Sequence, residues 1–345
     1  MTLVHGGDIS GASAQFGIAP DDWIDLSTGI SPWSWPVPPM PSKVWRTLPD
    51  SGDGLEQVAT GYYGCAAGSL VATPGSQYAL QQVPTLVPCG RVAMPLRGYA
   101  EHRLAWQRAG HQLVDYGTFE ELQQQIGEKR VDHAVVINPN NPTGEMAEAQ
   151  ALLALHEQLV ARSGWLLVDE AFVDATPENS LAPLCPLPGL MVLRSLGKFF
   201  GLAGVRLGFL IGPQQQIERL QQEMMPWQVS HPARWVGRQA LVDVRWQQLQ
   251  RQRLEEQSRR WLEALRGFFP GLVFVGSRLF ISARGEGDYC QSLYRALGQQ
   301  GVLIRHFEAI GDRAMLRFGL PAETEREKVL AVLAAVAGGK QCVNG

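Results

Sequence analysis

In the stretch Leu193-Arg194-Ser195-Leu196-Gly197-Lys198-Phe199-Phe200-Gly201-Leu202-Ala203-Gly204-Val205-Arg206-Leu207-Gly208, a single lysine lies in a loop bounded by glycines. Apolar runs precede and follow this loop, at residues 190–193 and 207–211. Short aliphatic runs that end at glycine or at a polar residue are typical of buried strands. The sequence therefore predicts that Lys198 lies between two strands of a core sheet.

The residue types around Lys198 point to a reactive amine beside an anion site. Partial burial and the nearby cations Arg194 and Arg206 would lower the pKa of Lys198 and make its amine a nucleophile. Ser195 and Arg206 could bind a phosphate, the serine through its hydroxyl and the arginine through its guanidinium. A loop lysine that only caps a strand remains the structural alternative for this motif.

Length and composition indicate a globular protein of two domains. The chain has 345 residues, of which 45% are hydrophobic and 18% are charged, as in folded soluble proteins. Its formal net charge of −3 gives no bulk attraction to nucleic acid or anionic membranes. No apolar run of membrane-spanning length and no signal-peptide pattern is present in the sequence, so we expect a cytoplasmic protein.

The cysteines and histidines do not follow a metal-binding or disulfide pattern. The five cysteines are scattered, without a CxxC pair, and the seven histidines include no HExxH motif. We therefore predict reduced thiols and no metal site.

Strand and helix patterns alternate from about residue 70 to residue 212, which predicts a mostly parallel sheet with helices on both faces. A proline-rich stretch at 32–41 is predicted to be an extended arm. The segments 214–225 and 231–268 are predicted to be mainly helical, and the remaining C-terminal part to be a compact α+β lobe. We expect an N-terminal arm at 1–44 that contributes to the small domain and the active site, a large domain at 45–230 and a small domain at 231–345.

Polar residues follow several of the predicted strands, where α/β folds place their ligands. Ser76 and Gln77 open a predicted helix at 78–86, so their amides could bind an anion. Asn141 lies in the rigid turn Asn138-Pro139-Asn140-Asn141-Pro142-Thr143-Gly144, with an amide able to bind a ligand oxygen. Tyr99 could stack on a flat ring, and Asp169 could pair with a ring nitrogen. A core tyrosine, an ordinary turn and a helix cap are the structural alternatives.

Two arginines lie within strand patterns near the C-terminus. Arg305 follows Val302-Leu303-Ile304, and Arg317 lies in Met315-Leu316-Arg317-Phe318. An arginine among apolar neighbours needs an anionic partner, in the protein or in a ligand.

The order of these motifs resembles the fold-type I pyridoxal-phosphate enzymes of the aminotransferase class I/II family, in the branch shared by histidinol-phosphate aminotransferases. The matching elements span nearly the whole chain: Gly75-Ser76-Gln77, Tyr99, Asn141-Pro142-Thr143-Gly144, Asp169-Glu170-Ala171, Ser195 with Lys198 and Arg206, and Arg317. The resemblance implies an α/β fold with a mostly parallel central sheet, a smaller α+β domain, and pyridoxal 5'-phosphate as cofactor.

The resemblance also implies a role for each matching residue. Lys198 is expected to hold the cofactor covalently, and Asp169 to pair with its pyridine nitrogen. Asn141 is expected to bind its phenolic oxygen, and Tyr99 to stack on its ring. The phosphate ligands are expected to be Ser76, Gln77, Ser195 and Arg206, and Arg317 is expected to bind the substrate carboxylate.

A narrower resemblance links the chain to the threonine-phosphate decarboxylase group of cobalamin biosynthesis. It rests on His5-Gly6-Gly7-Asp8, Asp25-Leu26-Ser27-Thr28-Gly29-Ile30-Ser31-Pro32, Leu48-Pro49, Pro74-Gly75-Ser76-Gln77, Tyr99-Ala100-Glu101-His102 and Ala109-Gly110-His111. It implies decarboxylation of L-threonine O-3-phosphate to (R)-1-amino-2-propanol O-2-phosphate. It further implies a homodimer with the site at the subunit interface, and substrate binding by His5, Gly29, Arg305 and Arg317.

Phe172 supports this narrower resemblance, because aminotransferases of the branch usually have a tyrosine at that position. Three other positions depart from patterns common in the family. Gly197 stands where a hydroxyl residue is common before the lysine. Leu48 replaces a tyrosine that in relatives reaches the neighbouring subunit's cofactor phosphate, and Ser31 replaces an asparagine.

Two other functions remain open at the level of sequence. The chain could be an aminotransferase for a phosphorylated or aromatic amino acid, which would need a keto acid. It could also be a non-catalytic scaffold or sensor that keeps the cofactor fold. A nucleotide-binding protein is disfavoured because neither GxGxxG nor GxxxxGK[ST] occurs in the required setting.

Overall fold

The computed structural model describes residues 5–338, which fall into two compact units. The larger unit is Ser34–Leu249, and the smaller unit combines the chain up to Trp33 with the chain from Gln250 onward. The domain boundaries expected from the sequence, after residues 44 and 230, differ from this division, which falls after residues 33 and 249. The helix that begins at His231 packs against the helix Leu55–Tyr63 of the larger unit, which places it with that unit.

Helices and strands alternate from residue 70 to residue 169, as the sequence pattern predicts, and the two strands that follow are not preceded by α-helices. In chain order, the elements of the whole chain are α1 (Ile9–Phe16), β1 (Ile24–Asp25), α2 (Ser42–Arg46), α3 (Leu55–Tyr63), β2 (Leu70–Thr73), α4 (Ser76–Gln82), β3 (Arg91–Pro95), α5 (Ala100–Arg108), β4 (Gln112–Tyr116), α6 (Phe119–Gly127), β5 (His133–Ile137), α7 (Ala149–Val160), β6 (Trp165–Asp169), β7 (Leu190–Ser195), β8 (Gly208–Ile211), α8 (Gln214–Glu223), α9 (His231–Val242), α10 (Val244–Phe268), β9 (Val273–Gly276), β10 (Phe280–Glu286), α11 (Gly287–Gly298), β11 (Val302–Leu303), β12 (Arg305–Ile310), β13 (Arg313–Gly319) and α12 (Arg326–Gly338).

The central sheet of the larger unit has seven strands in the order β2-β8-β7-β6-β5-β3-β4. The strands from β7 to β4 pair in parallel, whereas β8 is antiparallel to both β7 and β2. Every residue of β7 is buried, and because successive side chains of a strand point to opposite faces, both faces of the sheet are covered. The predicted mostly parallel sheet is therefore confirmed.

One face of this sheet forms a continuous apolar core with three helices. Side chains of α4, α5 and α8, among them Leu80, Trp106 and Leu220, pack on Leu167 and Leu193 of the strands. This core fixes the carboxyl ends of β5, β6 and β7 relative to one another. Asp169 is the last residue of β6, and Asn141 and Lys198 lie on the segments that follow β5 and β7.

Two predicted helices are interrupted for identifiable reasons. The helix expected at 78–86 begins at Ser76 and gives way to a 3-10 turn at Val83–Leu86, because Pro84 cannot donate a backbone hydrogen bond. The segment 231–268 forms two helices separated at Asp243, whose carboxylate accepts hydrogen bonds from Trp246 N at 3.0 Å and Trp35 Nε1 at 3.1 Å. The helix α1 was not expected from the sequence; Asp8 caps it by accepting from Gly11 N at 2.9 Å.

The smaller unit is an α+β lobe built on an antiparallel sheet. Its four strands follow the order β12-β13-β10-β9, and a separate two-stranded parallel sheet pairs β1 with β11. Because Arg305 of β12 lies directly opposite Arg317 of β13, the two predicted anion-binding arginines are cross-strand neighbours. The expected α+β lobe is confirmed in this unit.

The four cysteines within residues 5–338 are free thiols, and Cys342 lies outside the described residues. Within the same residues, no helix has both the length and the apolar character needed to cross a bilayer.

One buried histidine near the sheet, His133, predicts loss of stability in acid. His133 Nε2 donates to Pro88 O at 2.9 Å while its Nδ1 accepts from Trp165 N at 3.2 Å, so the ring must be neutral. Burial, and then the neighbouring His111, lower the pKa of His133 below its ordinary value of 6.5. Since the unfolded chain then binds more protons, this contribution to stability is present above about pH 6.5 and is lost as the pH falls towards the folded-state pKa.

We expect the thermal unfolding midpoint of the parent protein to fall between pH 7.5 and pH 5.5. His133→Gln lacks this titrating group and should show a smaller fall between the two pH values, whatever its midpoint at pH 7.5. An equal fall in both proteins would contradict this explanation.

Candidate active site

The loop after β7 holds the predicted reactive lysine. Leu196 N donates to Leu207 O at 3.1 Å and Gly201 N donates to Lys198 O at 3.2 Å, which closes the loop. Lys198 is partly buried, and its Nζ lies 5.5 Å from the centre of the Phe172 ring. A cation over an aromatic face is stabilised by the ring's electrons. The loop therefore holds the amine inside the protein, near the segment that follows β6.

Arg194 does not act as the cationic neighbour expected from the sequence. Its guanidinium is buried and forms ion pairs with Glu170, at 2.8 Å, and with Asp174. Although burial by itself favours the neutral form, the charges of Asp174 and Glu170 raise the pKa of Arg194 well above its ordinary value. Its charge is thus compensated by two carboxylates, so Arg194 is not the uncompensated cation that the sequence places beside Lys198.

The buried Arg194 cluster joins the ends of two strands beneath the lysine loop. Glu170 accepts from Ser180 Oγ at 2.5 Å and from Leu181 N at 2.7 Å. Burial raises the pKa of Glu170 despite the opposing charge of Arg194. Removing one partner from such a buried group would leave an uncompensated charge, so the cluster holds the two strand ends in a fixed geometry.

Asp169, at the end of β6, is only 6% exposed. Its Oδ2 accepts a hydrogen bond from His102 Nε2 at 2.9 Å, and its Oδ1 accepts from Ala171 N at 3.0 Å. His102 is fully buried in α5. The carboxylate is therefore held in one orientation in a dry environment, where it can stabilise a positive charge strongly.

His102 is a candidate site residue that was not expected from the sequence. It lies three residues after Tyr99, the residue that precedes α5, and the centres of the two rings are 6.4 Å apart. The available signal was a histidine in a predicted helix close to a predicted ring-stacking residue. Its partner Asp169 lies 67 residues away, so no local pattern could have given the pair.

The turn after β5 is held by its own asparagines. Asn138 donates to Ala147 O at 3.0 Å and accepts from Ala147 N at 2.8 Å. Asn140 donates to Arg97 O at 2.8 Å. These contacts fix the backbone on both sides of Asn141, which is partly buried. The predicted rigid turn is present.

Tyr99 and Gln77 come together beside the carboxylate. Tyr99 Oη donates to Gln77 Oε1 at 3.0 Å. Burial, followed by the charges of Glu101 and Asp169, raises the pKa of Tyr99 to about 12. The phenol is therefore neutral at physiological pH, and the ring offers an apolar face near Asp169.

The start of α4 forms a narrow cradle with Arg206. A Cβ atom at Gly75 would lie 2.8 Å from Arg206 Nη2, and one at Gly208 would lie 2.2 Å from Ser76 N. Only glycine allows these approaches, so backbone amides and a guanidinium share one small space. Backbone amides and an arginine guanidinium are groups that bind phosphate oxygens.

Ser195 ends β7 on the larger unit and is buried. Its Oγ accepts from Gly197 N at 3.3 Å. A side chain at residue 197 would bring its Cβ within 3.0 Å of Ala203 Cα. The loop therefore has little room for the hydroxyl residue that is common at this position.

The smaller unit holds the predicted substrate-binding arginines in a second cluster. Arg305 and Arg317 are neighbours on β12 and β13, and the Arg317 guanidinium lies 5.5 Å from the centre of the Phe280 ring. Burial, and then the charge of Arg305, lower the pKa of Arg317 to about 10. Burial likewise lowers the pKa of Arg305. Both arginines remain charged at neutral pH, so this face of the sheet attracts a ligand with more than one negative charge.

The other expected substrate residues lie in the same unit. His5 is exposed, and Gly29 is buried in the segment that follows β1. Ser31 is buried and accepts from Gln250 Nε2 at 2.7 Å, so it holds the backbone of the smaller unit together. Leu48, in the larger unit, is exposed.

The larger unit thus combines a lysine amine, a buried oriented carboxylate, a neutral aromatic ring and a phosphate cradle. These groups fit pyridoxal 5'-phosphate, because its aldehyde, ring nitrogen, ring face and phosphate each have a chemical counterpart. Within residues 5–338, no group of His, Cys, Asp or Glu side chains is arranged to hold a metal ion.

Comparison with protein families agrees with this fit. The family model described as aminotransferase class I and II matches residues 55–336. The chain belongs to this family.

One relative by sequence and two solved structures are similar to the chain over most of its length. The chain is 45% identical over 323 residues to the threonine-phosphate decarboxylase of Pseudomonas aeruginosa, which covers 93% of this chain and 94% of that protein. Among solved structures, the histidinol-phosphate aminotransferase of Sinorhizobium meliloti in complex with pyridoxal-5'-phosphate matches 98% of this chain and 96% of that chain, with a TM-score of 0.84 and 19% identity. The L-threonine-O-3-phosphate decarboxylase of Porphyromonas gingivalis matches 85% of this chain and 94% of that chain, with a TM-score of 0.70 and 19% identity. These two structures confirm the predicted fold class.

Proposed function

We propose that the chain decarboxylates L-threonine O-3-phosphate to (R)-1-amino-2-propanol O-2-phosphate and CO2, with pyridoxal 5'-phosphate as cofactor, in the aminopropanol branch of cobalamin biosynthesis. The observation that carries this proposal is the 45% identity to a threonine-phosphate decarboxylase across 93% of the chain. The lysine, carboxylate and phosphate cradle of the larger unit support it, because they match the groups of the cofactor.

Each cofactor group would have its own ligand. Lys198 would hold the aldehyde carbon, and Asp169 would hold the protonated ring nitrogen while His102 fixes the carboxylate. Tyr99 would stack on the ring, and Asn141 would bind its phenolic oxygen. The phosphate would lie in the cradle formed by Ser76, Gln77, Ser195 and Arg206. When bound, pyridoxal phosphate supplies an electron sink for the pair left at Cα by the departing CO2.

The protein's residues would select which bond of the substrate breaks. Arg317 would hold the substrate carboxylate and so orient the bond from Cα to the carboxylate carbon as the one that breaks. The ammonium of Lys198 would then give a proton to Cα in place of the departed CO2. The carboxylate of Asp169 would balance the positive charge on the ring nitrogen. His5 and Arg305 would bind the substrate phosphate, and Gly29 would line the substrate site.

We also propose that the protein is a cytoplasmic homodimer with its site at the subunit interface. Large apolar side chains are exposed on the larger unit, with Trp45 at 67%, Leu48 at 64% and Trp227 at 61% exposure. The helix α2, which carries Trp45, packs on α9, and Thr47 Oγ1 lies 3.0 Å from His231 Nδ1. Exposed aromatic residues on packed elements are typical of protein interfaces.

This dimer gives a direct prediction for hydrodynamic mass. The parent should sediment at about twice its chain mass of 37.9 kDa. Trp45→Glu with Leu48→Glu should shift it to the monomer at micromolar concentration, because buried charges would be unpaired in the interface. Val273→Glu, an equally exposed apolar residue of the smaller unit, is the control and should stay dimeric. A monomeric parent, or a double variant that remains dimeric, would refute the interface.

The choice of substrate tests the proposed activity. Purified protein loaded with cofactor should turn over L-threonine O-3-phosphate repeatedly without a keto acid, and should use L-threonine far less well. An aminotransferase would instead stop after one turnover and resume when 2-oxoglutarate is added, which would favour the alternative function. Protein that neither binds the cofactor nor acts on any amino acid would favour a scaffold or sensor.

A further inference from the structure

Ser27 of the smaller unit joins three separate segments through one buried side chain and its carbonyl. It is only 2% exposed. Its Oγ donates to Asp25 Oδ1 at 2.6 Å and accepts from Gly7 N at 2.7 Å. Its backbone carbonyl accepts a hydrogen bond from Arg317 Nη2. A single serine thus contacts the N-terminal segment, β1 and β13.

Asp25 fixes the orientation of this serine. Its Oδ1 also accepts from Ser27 N at 2.8 Å, so the carboxylate binds both the amide and the hydroxyl of the same residue. With the hydroxyl proton directed to Asp25, the Oγ lone pairs are available to Gly7 N. A carboxylate that accepts two such bonds holds the turn in one conformation.

The N-terminal segment approaches the turn as closely as its backbone allows. A Cβ atom at Gly6 would lie 2.4 Å from Ser27 O, so only glycine fits there. On the other side, Gly319 N donates to Leu26 O at 2.6 Å, which ties the end of β13 to the same turn. The positions of residues 5–7 and of Arg317 are therefore both set by the backbone at Ser27.

We propose that Asp25 and Ser27 are positioning residues that fix the distance between the N-terminal segment at His5 and the Arg317 guanidinium, and so make the enzyme selective for a substrate with both a carboxylate and a phosphate. This inference rests on the proposed function, in which Arg317 binds the carboxylate and His5 contributes to the phosphate site. A substrate with two anionic groups has a fixed separation between them, so it binds best when the two binding groups are held at a matching separation. Neither Asp25 nor Ser27 needs to touch the substrate for this effect.

The variant Ser27→Ala removes the hydroxyl and leaves the carbonyl that accepts from Arg317. We expect the KM for L-threonine O-3-phosphate to rise about tenfold, the effect of losing one hydrogen bond, while kcat changes less than about threefold. The preference for L-threonine O-3-phosphate over L-threonine should fall by about the same factor, because only the phosphorylated substrate uses both binding groups. The inhibition constant of inorganic phosphate should rise in parallel.

Two further variants separate positioning from general destabilisation. Ser258→Ala is the matched control, since Ser258 is a buried serine of the smaller unit whose Oγ donates to Glu255 O at 3.2 Å. It should leave the substrate preference unchanged. Asp25→Asn, at an exposed position, should give a smaller loss of preference than Ser27→Ala, because Gly7 N keeps its acceptor; it also tests the inference if Ser27→Ala does not fold.

The outcomes distinguish this inference from the proposed function. A parent protein that does not decarboxylate L-threonine O-3-phosphate refutes the proposed function. If the parent is active but Ser27→Ala and Asp25→Asn keep its substrate preference and its KM, the positioning role is refuted and the proposed function is not. An equal loss of preference in Ser258→Ala would also refute it, because the effect would then be one of stability.

Discussion

The variant Lys198→Ala is expected to lower kcat for decarboxylation by at least about 10³-fold. The amine of Lys198 is proposed both to hold the cofactor and to return a proton to Cα, and general acid catalysis alone contributes about 10²–10⁴-fold. The loop that carries Lys198 is closed by backbone hydrogen bonds that do not involve its side chain. The variant should therefore fold normally and lose activity through chemistry.

Two measurements separate this loss from damage to the protein. Borohydride reduction followed by mass spectrometry should place the cofactor on the peptide with Lys198 in the parent and leave that peptide unmodified in the variant. Added methylamine should restore part of the rate. Lys328→Ala, an exposed lysine of α12, should behave as the parent. Full activity in Lys198→Ala would refute the assignment.

The variant Asp169→Ala is expected to lower kcat by at least about 100-fold, equivalent to about 2.7 kcal/mol in the barrier. Without the carboxylate, the ring nitrogen would no longer be held in its protonated form, and the electron sink would weaken. His102 would also lose its partner at 2.9 Å. Because the effect arises at the cofactor, the absorbance spectrum of the bound cofactor should change together with the rate.

Asp132→Asn provides the matched control for Asp169. Asp132 also lies beside the central sheet and pairs with Arg91 at 2.8 Å. The hydrogen bond from Arg91 lowers the pKa of Asp132 to about 2, but both side chains are partly exposed. This change should cost at most about 1 kcal/mol of stability and leave kcat unaffected. If Asp169→Ala kept its spectrum and its rate, the role of the carboxylate would be wrong.

The fold was predictable where the sequence pattern is local. The strands β5, β6 and β7 are short apolar runs ended by polar residues, so their existence follows from the sequence pattern. The segment proposed to hold the cofactor could be recognised for the same reason, because Lys198, Ser195 and Arg206 lie within 12 residues of one another. Their roles came from resemblance to a family rather than from spacing.

What could not be predicted depends on partners that are distant in sequence. Arg194 looked like a neighbour that activates Lys198, yet it pairs with Glu170 and Asp174, 24 and 20 residues away. His102 and Ser27 have ordinary local surroundings in the sequence, and only their contacts with Asp169 and Arg317 make them relevant to function. Side-chain direction at the end of a strand decides such pairings, and a one-residue change reverses that direction.

The fate of the substrate carboxylate tests the central claim most directly. L-threonine O-3-phosphate labelled with ¹³C at the carboxylate would be incubated with the cofactor-loaded protein, without a keto acid, and followed by ¹³C NMR. The proposed activity predicts that the label appears as CO2 and bicarbonate over many turnovers, in step with the formation of 1-amino-2-propanol O-2-phosphate. Label that remains in an amino acid or a keto acid would contradict it.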